Sequence, residues 1–488
     1  MNILFLCNKS PWPPREGGPM AMNMLIEGLA DAGHQVKVLA VNSYKYNISV
    51  SGIPDAYQKK TGIELIEMDL HVKPFDAFCN LFTGDSYHVQ RFISNSFRQK
   101  VISVLKAGDF DVVQLETLFM CPYISAIRAN SRARIILRAH NIEHLIWQRV
   151  SEEARNPLKK WYIRHLARTL KKYEQDVIGE VDGIMAITPT DAEYFRKLLQ
   201  ERNQSKLKDQ KSKIKTTNQK SKLQETNLRI SFIRSLSLFV TRHWSLVIGH
   251  WSLVTGHSSL VTGHWSLVTG HWSFVIGHSS RVTRHASRFH SPAIIDLPFG
   301  LDPAKYNCDD TQTEFPSLFS LGSMNWIPNQ EGIRWFLFNV WPDVHKQFPN
   351  LKYYLAGREM PAWMLSLNLP NVVVLGEVED ASVFLVSKAI MIVPLFSGSG
   401  IRVKIIEGMA AGKTIVSTGI GAEGINYTNR HNILIADAPC EFFEMISLCV
   451  QEPEISKKIG KRARSLIETE YDSGNLIQKM VAFYKQLG

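Results

Sequence analysis

Short apolar runs alternate with helical stretches along most of this chain, and this alternation constrains the fold more than any other feature of the sequence. Between the first two apolar runs, residues 19–33 carry apolar side chains at helical spacing and end in Gly33, which suits a left-handed helix cap. Strands that alternate with helices form parallel sheets, so we predict a Rossmann-like domain over residues 1–200. Its predicted strands are residues 2–7, 35–41, 111–116, 134–140 and 183–188.

The second half of the chain repeats the same alternation. Ligands of open parallel sheets bind at the carboxyl ends of the strands, and two such sheets that face each other form a cleft. We therefore predict a second Rossmann-like domain over residues 293–470, followed by a helix within 471–488 that crosses back to the first domain. The predicted strands of this half are residues 293–299, 317–323, 352–357, 371–376, 389–396, 414–418 and 432–436.

Residues 201–292 interrupt this α/β pattern and differ from it in composition. They hold 14 Lys and Arg residues against 3 Asp and Glu residues, which accounts for the whole net charge of +11. From His243 to His285 a histidine recurs at every seventh position, in repeats such as HWSLVTG, whose glycine and β-branched residues oppose a coiled coil. We predict a low-complexity heptad-repeat insertion, disordered or weakly β-forming, without a catalytic role. A metal-binding or interaction segment and a small repeat fold are the alternatives.

Composition excludes several other classes of protein. Because the basic excess is confined to one segment, it does not indicate a nucleic-acid-binding protein. No run approaches the ~18 apolar residues of a membrane span, and the first residues lack the features of a signal peptide. The six cysteines are scattered without a C-x-x-C pair, which predicts reduced thiols in a cytoplasmic protein.

The stretch LFSGSGIRVKIIEGMAAGK, residues 395–413, places two cations directly after a glycine-rich turn. Arg402 and Lys404 fall in the first turn of the predicted helix, where a positive side chain opposes the helix dipole. Backbone N–H groups at a helix start, together with two cations, suit a diphosphate, which carries about two negative charges. A solvated basic turn is the alternative.

A series of motifs in a fixed order resembles a known family. A glycine-rich turn follows the first strand in PREGGPMAMNMLIEGLADAG, and RAHNIEHLIWQR, VDGIMAITPTDAEYF, LPFGLD and LAGRE come after it. With residues 395–413 and the following TIVSTGIGAEGI, they resemble a family 4 glycosyltransferase of the GT-B fold, of the type that makes bacterial surface polysaccharides. The resemblance covers nearly all of the chain outside residues 201–292.

The resemblance implies an acceptor domain at 1–200, a donor domain at 293–470, and a nucleotide diphosphate sugar as donor. It also implies a glycan or lipid-linked acceptor, retention of configuration, and no metal or other cofactor. Two alternatives remain: a nucleotide-sugar epimerase of the same fold, and a nucleotide-sugar-binding protein without turnover.

Roles for individual residues follow from the same resemblance. Arg402 and Lys404 would stabilise the leaving diphosphate, and Glu407 would bind the ribose. His140 would place the donor sugar, with a structural, hydrogen-bonded histidine as the alternative. The other contacts to the nucleotide sugar are expected from Gly17, Gly18, Arg358, Gly398, Ser399 and Gly400.

Two departures from the family pattern bear on these roles. Many members have a glutamate where this chain has Ser399. Residues 323–330 contain no Arg or Lys, although many relatives hold the diphosphate with such residues there. We therefore expect Arg402 and Lys404 to carry a larger share of the charge, with help from Arg358.

Three further motifs have competing interpretations. HNIEH at 140–144 has the spacing of some zinc peptidases, but there the motif lies within a helix, whereas His140 is predicted to follow a strand. DFD at 109–111 precedes a strand, so we discount it as a metal motif. The basic residues 156–175 include aromatics and predict an ordinary helix with a solvated face or, alternatively, contact with the inner face of an anionic membrane.

Overall fold

A computed structural model describes residues 1–14, 17–204, 291–306, 308, 311–398 and 400–488. Residues Met1–Leu199 and Pro292–Gly488 form one compact unit, and all contacts given below lie within it. The predictions for the heptad repeats fall on residues 205–290 and so lie outside the described residues. Among the described residues, no helix combines the length and the apolar character needed to cross a membrane.

The first sheet has seven parallel strands in the order β3-β2-β1-β4-β5-β6-β7. Strand order reverses direction between β1 and β4, where Cys7 lies opposite Glu116. Ligands of open α/β sheets bind outside such a reversal point, at the carboxyl ends of the strands. The strands are β1 (Asn2–Cys7), β2 (Gln35–Asn42), β3 (Glu64–Glu67), β4 (Val112–Glu116), β5 (Arg134–Ala139), β6 (Gly183–Ala186) and β7 (Ala293–Asp296).

Strand β7 corrects the prediction for residues 293–299. The sequence assigned this strand to the second domain, but β7 pairs in parallel with β6, with Gly183 opposite Ala293. Leu297, directly after β7, is fully buried in the core of the first sheet. The second sheet therefore begins only with the next strand.

The second sheet has six parallel strands in the order β10-β9-β8-β11-β12-β13. The order reverses between β8 and β11, so a second reversal point lies at the carboxyl ends of those strands. The predicted pair of Rossmann-like α/β domains is confirmed. The strands are β8 (Glu314–Leu321), β9 (Lys352–Ala356), β10 (Val372–Gly376), β11 (Lys388–Val393), β12 (Thr414–Ser417) and β13 (Leu434–Ile435).

Helices cover both faces of each sheet. The helices of the first domain are α1 (Gly17–Asp31), α2 (Asp55–Thr61), α3 (Pro74–Asn80), α4 (Tyr87–Gln90), α5 (Asn95–Ala107), α6 (Ile124–Asn130), α7 (Glu143–Glu153), α8 (Pro157–Val177) and α9 (189–204). Those that follow are α10 (Ile327–Asn339), α11 (Trp341–Gln347), α12 (Ala362–Leu365), α13 (Ala381–Ser387), α14 (Val403–Ala410), α15 (Pro439–Gln451), α16 (Pro453–Glu470) and α17 (Ser473–Leu487).

Helix α17 follows the second sheet in sequence but packs on the first. Its start is capped by Asp472, whose side chain accepts a hydrogen bond from the Asn475 backbone N–H at 2.8 Å. Its apolar face is buried with α1 against β1 and β5. The approach to α1 is close, since a Cβ built on Gly28 would lie 2.7 Å from Ile477 Cγ1.

Candidate active site

A cleft of about 350 Å³ lies at the carboxyl ends of β1, β4 and β5, and the turn before α14 forms its opposite side. Four predicted residues line it together: Gly17, Gly18, His140 and Gly400. A Cβ built on Gly17 would lie 3.4 Å from Val403 Cγ2, which shows how closely the two domains approach there. Neither Gly17 nor Gly18 has a positive φ, so close approach, not turn geometry, explains these glycines.

His140 directly follows β5 and is held by a buried carboxylate. Its Nε2 lies 2.6 Å from Glu116 Oε2, at the end of the neighbouring strand β4. Burial alone would raise the pKa of Glu116, but the hydrogen bond from His140 and the charge of Arg138 outweigh it and lower that pKa. Glu116 is therefore ionised, and because a carboxylate only accepts hydrogen bonds, the proton between the two groups lies on His140 Nε2.

Behind Glu116, a polar network reaches the C-terminal helix. Gln114 donates to the second oxygen of Glu116, and the Tyr484 hydroxyl of α17 donates to Gln114. Arg138 is fully buried, with its Nε 3.9 Å from Glu116 Oε2, so the two charges balance each other inside the sheet. The network fixes the Glu116 carboxylate and, through it, the ring of His140.

Arg402 and Lys404 lie where the sequence places them, at the start of α14. The Arg402 Nη1 donates to the carbonyl of Gly400 at 2.7 Å, and its guanidinium carbon lies 5.3 Å from the ring centre of Trp326. The Lys404 Nζ donates to Asn329 Oδ1 at 2.7 Å. Asn329 in turn donates to the Ser323 carbonyl in the loop after β8, so Lys404 reaches the reversal point of the second sheet.

Burial sets the charge of Lys404. Burial, together with the nearby charge of Arg402, lowers the pKa of this side chain to about 7. The acceptor for Lys404 is a neutral amide oxygen, so this hydrogen bond does not neutralise the ammonium group. An anion between these two side chains would favour the protonated form of the lysine.

The remaining predicted residues surround this second reversal point. The Tyr306 hydroxyl donates to Glu407 Oε1 at 3.1 Å, and burial raises the pKa of Glu407. The carbonyl of Arg358 accepts a 2.8 Å hydrogen bond from the Met324 N–H, which sets Arg358 beside the loop after β8. Gly398 has a φ of 113°, and a Cβ built on it would lie 2.9 Å from Trp326 Cζ2. Ser399 lies outside the described residues.

The side chains of HNIEH and DFD contact separate partners and do not converge on one metal position. His144 contacts Glu174 through Nδ1 and the Tyr194 hydroxyl through Nε2, whereas His140 contacts Glu116. Asp111 accepts a 2.8 Å hydrogen bond from the Asn2 N–H, so DFD lies at the opposite end of β1 from the cleft. Across residues 1–14, 17–204 and the described residues from 291 onward, no group of three His, Cys, Asp or Glu side chains is arranged to hold a metal ion.

Sequence reasoning missed several residues of the site. Glu116 is the chief omission, although its place at the end of a strand beside the His140 strand was a usable signal. Thr117, next to it, lines the cleft with a φ of 80°, which is rare for a β-branched residue. Sequence reasoning also missed the hydrogen bonds of Tyr306 to Glu407 and of Lys404 to Asn329. Local patterns could not predict them because the two residues of each pair lie far apart in sequence.

Part of the second domain matches a described protein family. Residues 316–452 match the family model of group 1 glycosyl transferases. A 44.6 kDa protein from the cps region of Klebsiella pneumoniae is 26% identical over 182 residues, which cover 36% of this chain and 46% of that protein. The matched part therefore spans less than half the length of this relative.

Solved structures share the fold. Sucrose-phosphate synthase from Thermosynechococcus elongatus matches with a TM-score of 0.59 at 12% identity, covering 100% of this chain and 99% of that one. HepE from Anabaena, solved in complex with UDP and glucose, matches with a TM-score of 0.53 at 11% identity, covering 99% of each chain. The chain thus has a two-domain Rossmann-like α/β fold, and its residues 316–452 are similar to group 1 glycosyl transferases.

Proposed function

We propose that this protein transfers a hexose from a nucleotide diphosphate sugar to a glycan or lipid-linked acceptor, with retention of configuration. The observation that carries this proposal is the position of Arg402 and Lys404. Both lie at the start of α14 and donate hydrogen bonds to neutral oxygens at the carboxyl ends of the second sheet.

The helix N-terminus, Arg402 and Lys404 would each stabilise a diphosphate bound between them. A helix N-terminus supplies roughly +0.5 charge, and a cation 4 Å from an anion contributes about 4 kcal/mol at an effective dielectric constant of 20, before desolvation. The same cations stabilise the charge that grows on the leaving diphosphate, which lowers the barrier to transfer. Because they do so without a metal ion, we propose metal-independent transfer.

The sugar would occupy the cleft beside His140. The nucleotide end of the donor would lie toward Glu407 and the sugar end toward Gly400, whose carbonyl is bonded to Arg402. Gly17 and Gly18 line this cleft at the start of α1, so their backbone would face the donor. His140, oriented by Glu116, would accept a hydrogen bond from a sugar hydroxyl at Nδ1.

Same-face displacement needs no carboxylate nucleophile, and the state of the carboxyl groups at the cleft fits this route to retention. Burial and the neighbouring Glu174 raise the pKa of Glu143 to about 8, so this carboxyl is mostly protonated at neutral pH and a poor nucleophile. Glu116 is engaged by His140 and Arg138. The donor C1–O bond would break as the acceptor oxygen bonds to C1 on the same face, and the acceptor proton would pass to the leaving phosphate.

Binding and turnover can be tested separately on the full chain. Because HepE was solved with UDP and glucose, UDP and UDP-glucose are the first ligands to test. Calorimetry should show UDP binding that is lost in Arg402→Gln/Lys404→Gln and kept in a control, Lys458→Gln/Lys461→Gln, which alters two exposed cations of α16. Undiminished affinity in the first variant contradicts the proposed diphosphate site.

Product analysis separates this function from its alternatives. Transfer gives a new glycoside only when acceptor is present, and NMR of its anomeric proton reports retention or inversion. An epimerase would change the sugar without an acceptor. UDP binding with neither product would identify a nucleotide-sugar-binding protein without turnover.

A further inference from the structure

The segment around α3 exposes an unusual number of large apolar side chains. Phe75, Phe78 and Phe82 are 76%, 58% and 78% exposed, and Val72 is 63% exposed. The rings of Phe78 and Phe82 contact each other edge to face at 5.6 Å but leave most of their area open to water. Contiguous apolar area of this kind on a protein surface marks an interaction site.

The first turns of α8 add a second exposed apolar pair. Leu158 is 77% exposed and Trp161 is 58% exposed. Residues 155–172 contain seven Lys and Arg residues and no Asp or Glu. From the sequence, this helix could have either a solvated basic face or a membrane contact. A solvated basic face does not account for an exposed Trp and Leu among the cations.

The two segments are joined through α4. The Lys73 N–H, just before α3, donates to the Tyr87 hydroxyl at 2.9 Å, and that hydroxyl donates back to the Lys73 carbonyl. Tyr87 begins α4, and α4 packs against α8. Burial and, to a smaller extent, the nearby Tyr87 raise the pKa of Tyr162, which places Tyr87 close to the residue after Trp161. The exposed phenylalanines and the basic start of α8 therefore belong to one region of the surface.

We propose that this region, the α3–α8 surface, docks the protein on a membrane that contains anionic lipids. Aromatic side chains partition into the boundary between head groups and acyl chains, and Lys and Arg beside them are attracted to anionic head groups. Asp76 and Asp85 lie near the phenylalanines, so the positive charge comes from α8. A second copy of the chain fits less well, because like charges on both copies would face each other.

Vesicle sedimentation of the full chain tests this inference without any need for transfer activity. The variant Phe75→Ser/Phe78→Ser/Phe82→Ser is compared with Phe338→Ser/Leu365→Ser/Val383→Ser, which removes three exposed apolar side chains of the second domain. All proteins keep residues 205–290, so any contribution of that segment is constant. Vesicles of phosphatidylcholine mixed with phosphatidylglycerol, and of phosphatidylcholine alone, are the probes.

The unaltered chain and the second-domain control should bind the anionic vesicles at least about tenfold more tightly than the phenylalanine variant. Binding should also weaken on neutral vesicles and in high salt. Equal binding by all three proteins, or no binding by the unaltered chain, overturns the inference. So does a dimer in light scattering that only the phenylalanine variant loses, because that result assigns the surface to a second copy.

Discussion

The Lys404 ammonium group donates a 2.7 Å hydrogen bond to the side-chain oxygen of Asn329, and so ties the start of α14 to the loop that follows β8. That loop, residues 323–330, contains no Arg or Lys. Asn329 brings a lysine from another element to the same place. In the proposed function, the charge that Lys404 offers to a phosphate at this loop would depend on the protonation of its partly buried side chain.

Nucleotide affinity should fall as the pH rises above about 7. Burial lowers the pKa of Lys404 to about 7, and an anionic ligand favours its protonated form. Above pH 7 binding must take up a proton, and affinity should drop by up to about tenfold per pH unit. Calorimetry of UDP binding in buffers of different ionisation enthalpy measures this proton uptake. Lys404→Arg should bind without it, and identical profiles for both proteins would contradict the assignment.

Lys404 should affect folding stability in the opposite direction: stability rises with pH, whereas nucleotide affinity falls. Its pKa in the folded chain lies below its unfolded value, so at pH 7 to 10 the unfolded chain binds more protons. Without ligand, the contribution of Lys404 should therefore make the folded protein more stable as the pH rises through this range. The difference in unfolding free energy between the unaltered chain and Lys404→Met, measured across this pH range, gives the contribution of Lys404.

Glu407→Gln should weaken the binding of ribonucleotides selectively. The carboxylate is the proposed acceptor for ribose hydroxyls, and hydrogen bonds to charged groups are worth about 1.5–3 kcal/mol, or roughly ten- to a hundredfold in affinity. Affinity for UDP should drop by this factor, whereas affinity for 2′,3′-dideoxy-UDP should change little. Tyr306→Phe, which removes the present partner of Glu407, is the matched control. Equal losses for both nucleotides would place Glu407 outside the ribose site.

Tyr484→Phe should lower both stability and the rate of transfer. It leaves the buried oxygen of Gln114 unpaired, at a cost of about 1–3 kcal/mol, and loosens the support of Glu116 behind His140. We expect kcat to fall by up to about tenfold with KM nearly unchanged. The exposed Tyr44→Phe is the control. A stability loss without any change in kcat or in the NMR signals of His140 would show that the network is only structural.

Gly28→Ala should displace α17 from α1, because the added Cβ would lie 2.7 Å from Ile477 Cγ1. We expect a loss of about 1–3 kcal/mol in unfolding free energy. Ile477→Ala removes the clashing atoms, so the double variant should lose less than the sum of the two single variants. Strict additivity in chemical denaturation would contradict the close packing of these helices.

Replacement of residues 205–290 by a short Gly-Ser linker should leave UDP affinity unchanged. Both sides of this segment belong to one sheet, since β6 precedes it and β7 follows it in direct pairing. A linker need only join α9 to β7. Loss of soluble protein would show that the heptad repeats have a structural role.

Much of the fold could be predicted from the sequence, because nearly every buried strand is a short apolar run. Strand β3 was missed because Glu residues stand at both of its ends, at 64 and 67. The sheet membership of β7 was wrong because an apolar run shows that a strand exists, not which neighbour it pairs with. Strand pairing is a long-range property that local patterns do not contain.

For the candidate site, the sequence predicted the positions of Arg402 and Lys404 at the start of a helix, and the structure has them there. Two cations at a helix start oppose the helix dipole, and this conflict was the signal for an anionic ligand, which stays a prediction. Glu116 was missed because, apart from its place beside the strand of His140, nothing in the sequence distinguishes it from any other glutamate at the end of a strand. The phenylalanines near α3 were missed because apolar residues at helical spacing usually indicate a core, and only the structure shows them exposed.

The packing of α17 has a consequence for biosynthesis. The core of the first domain includes buried residues of α17 such as Tyr484, yet its other members are translated before the whole second sheet. While the ribosome makes the second domain, the apolar surface of α1 and the polar side chains of Gln114 and Glu116 lack their cover. The first domain thus leaves the ribosome first but is completed last, when α17 has been made. Until then, a chaperone would have to shield the surface that α17 later covers.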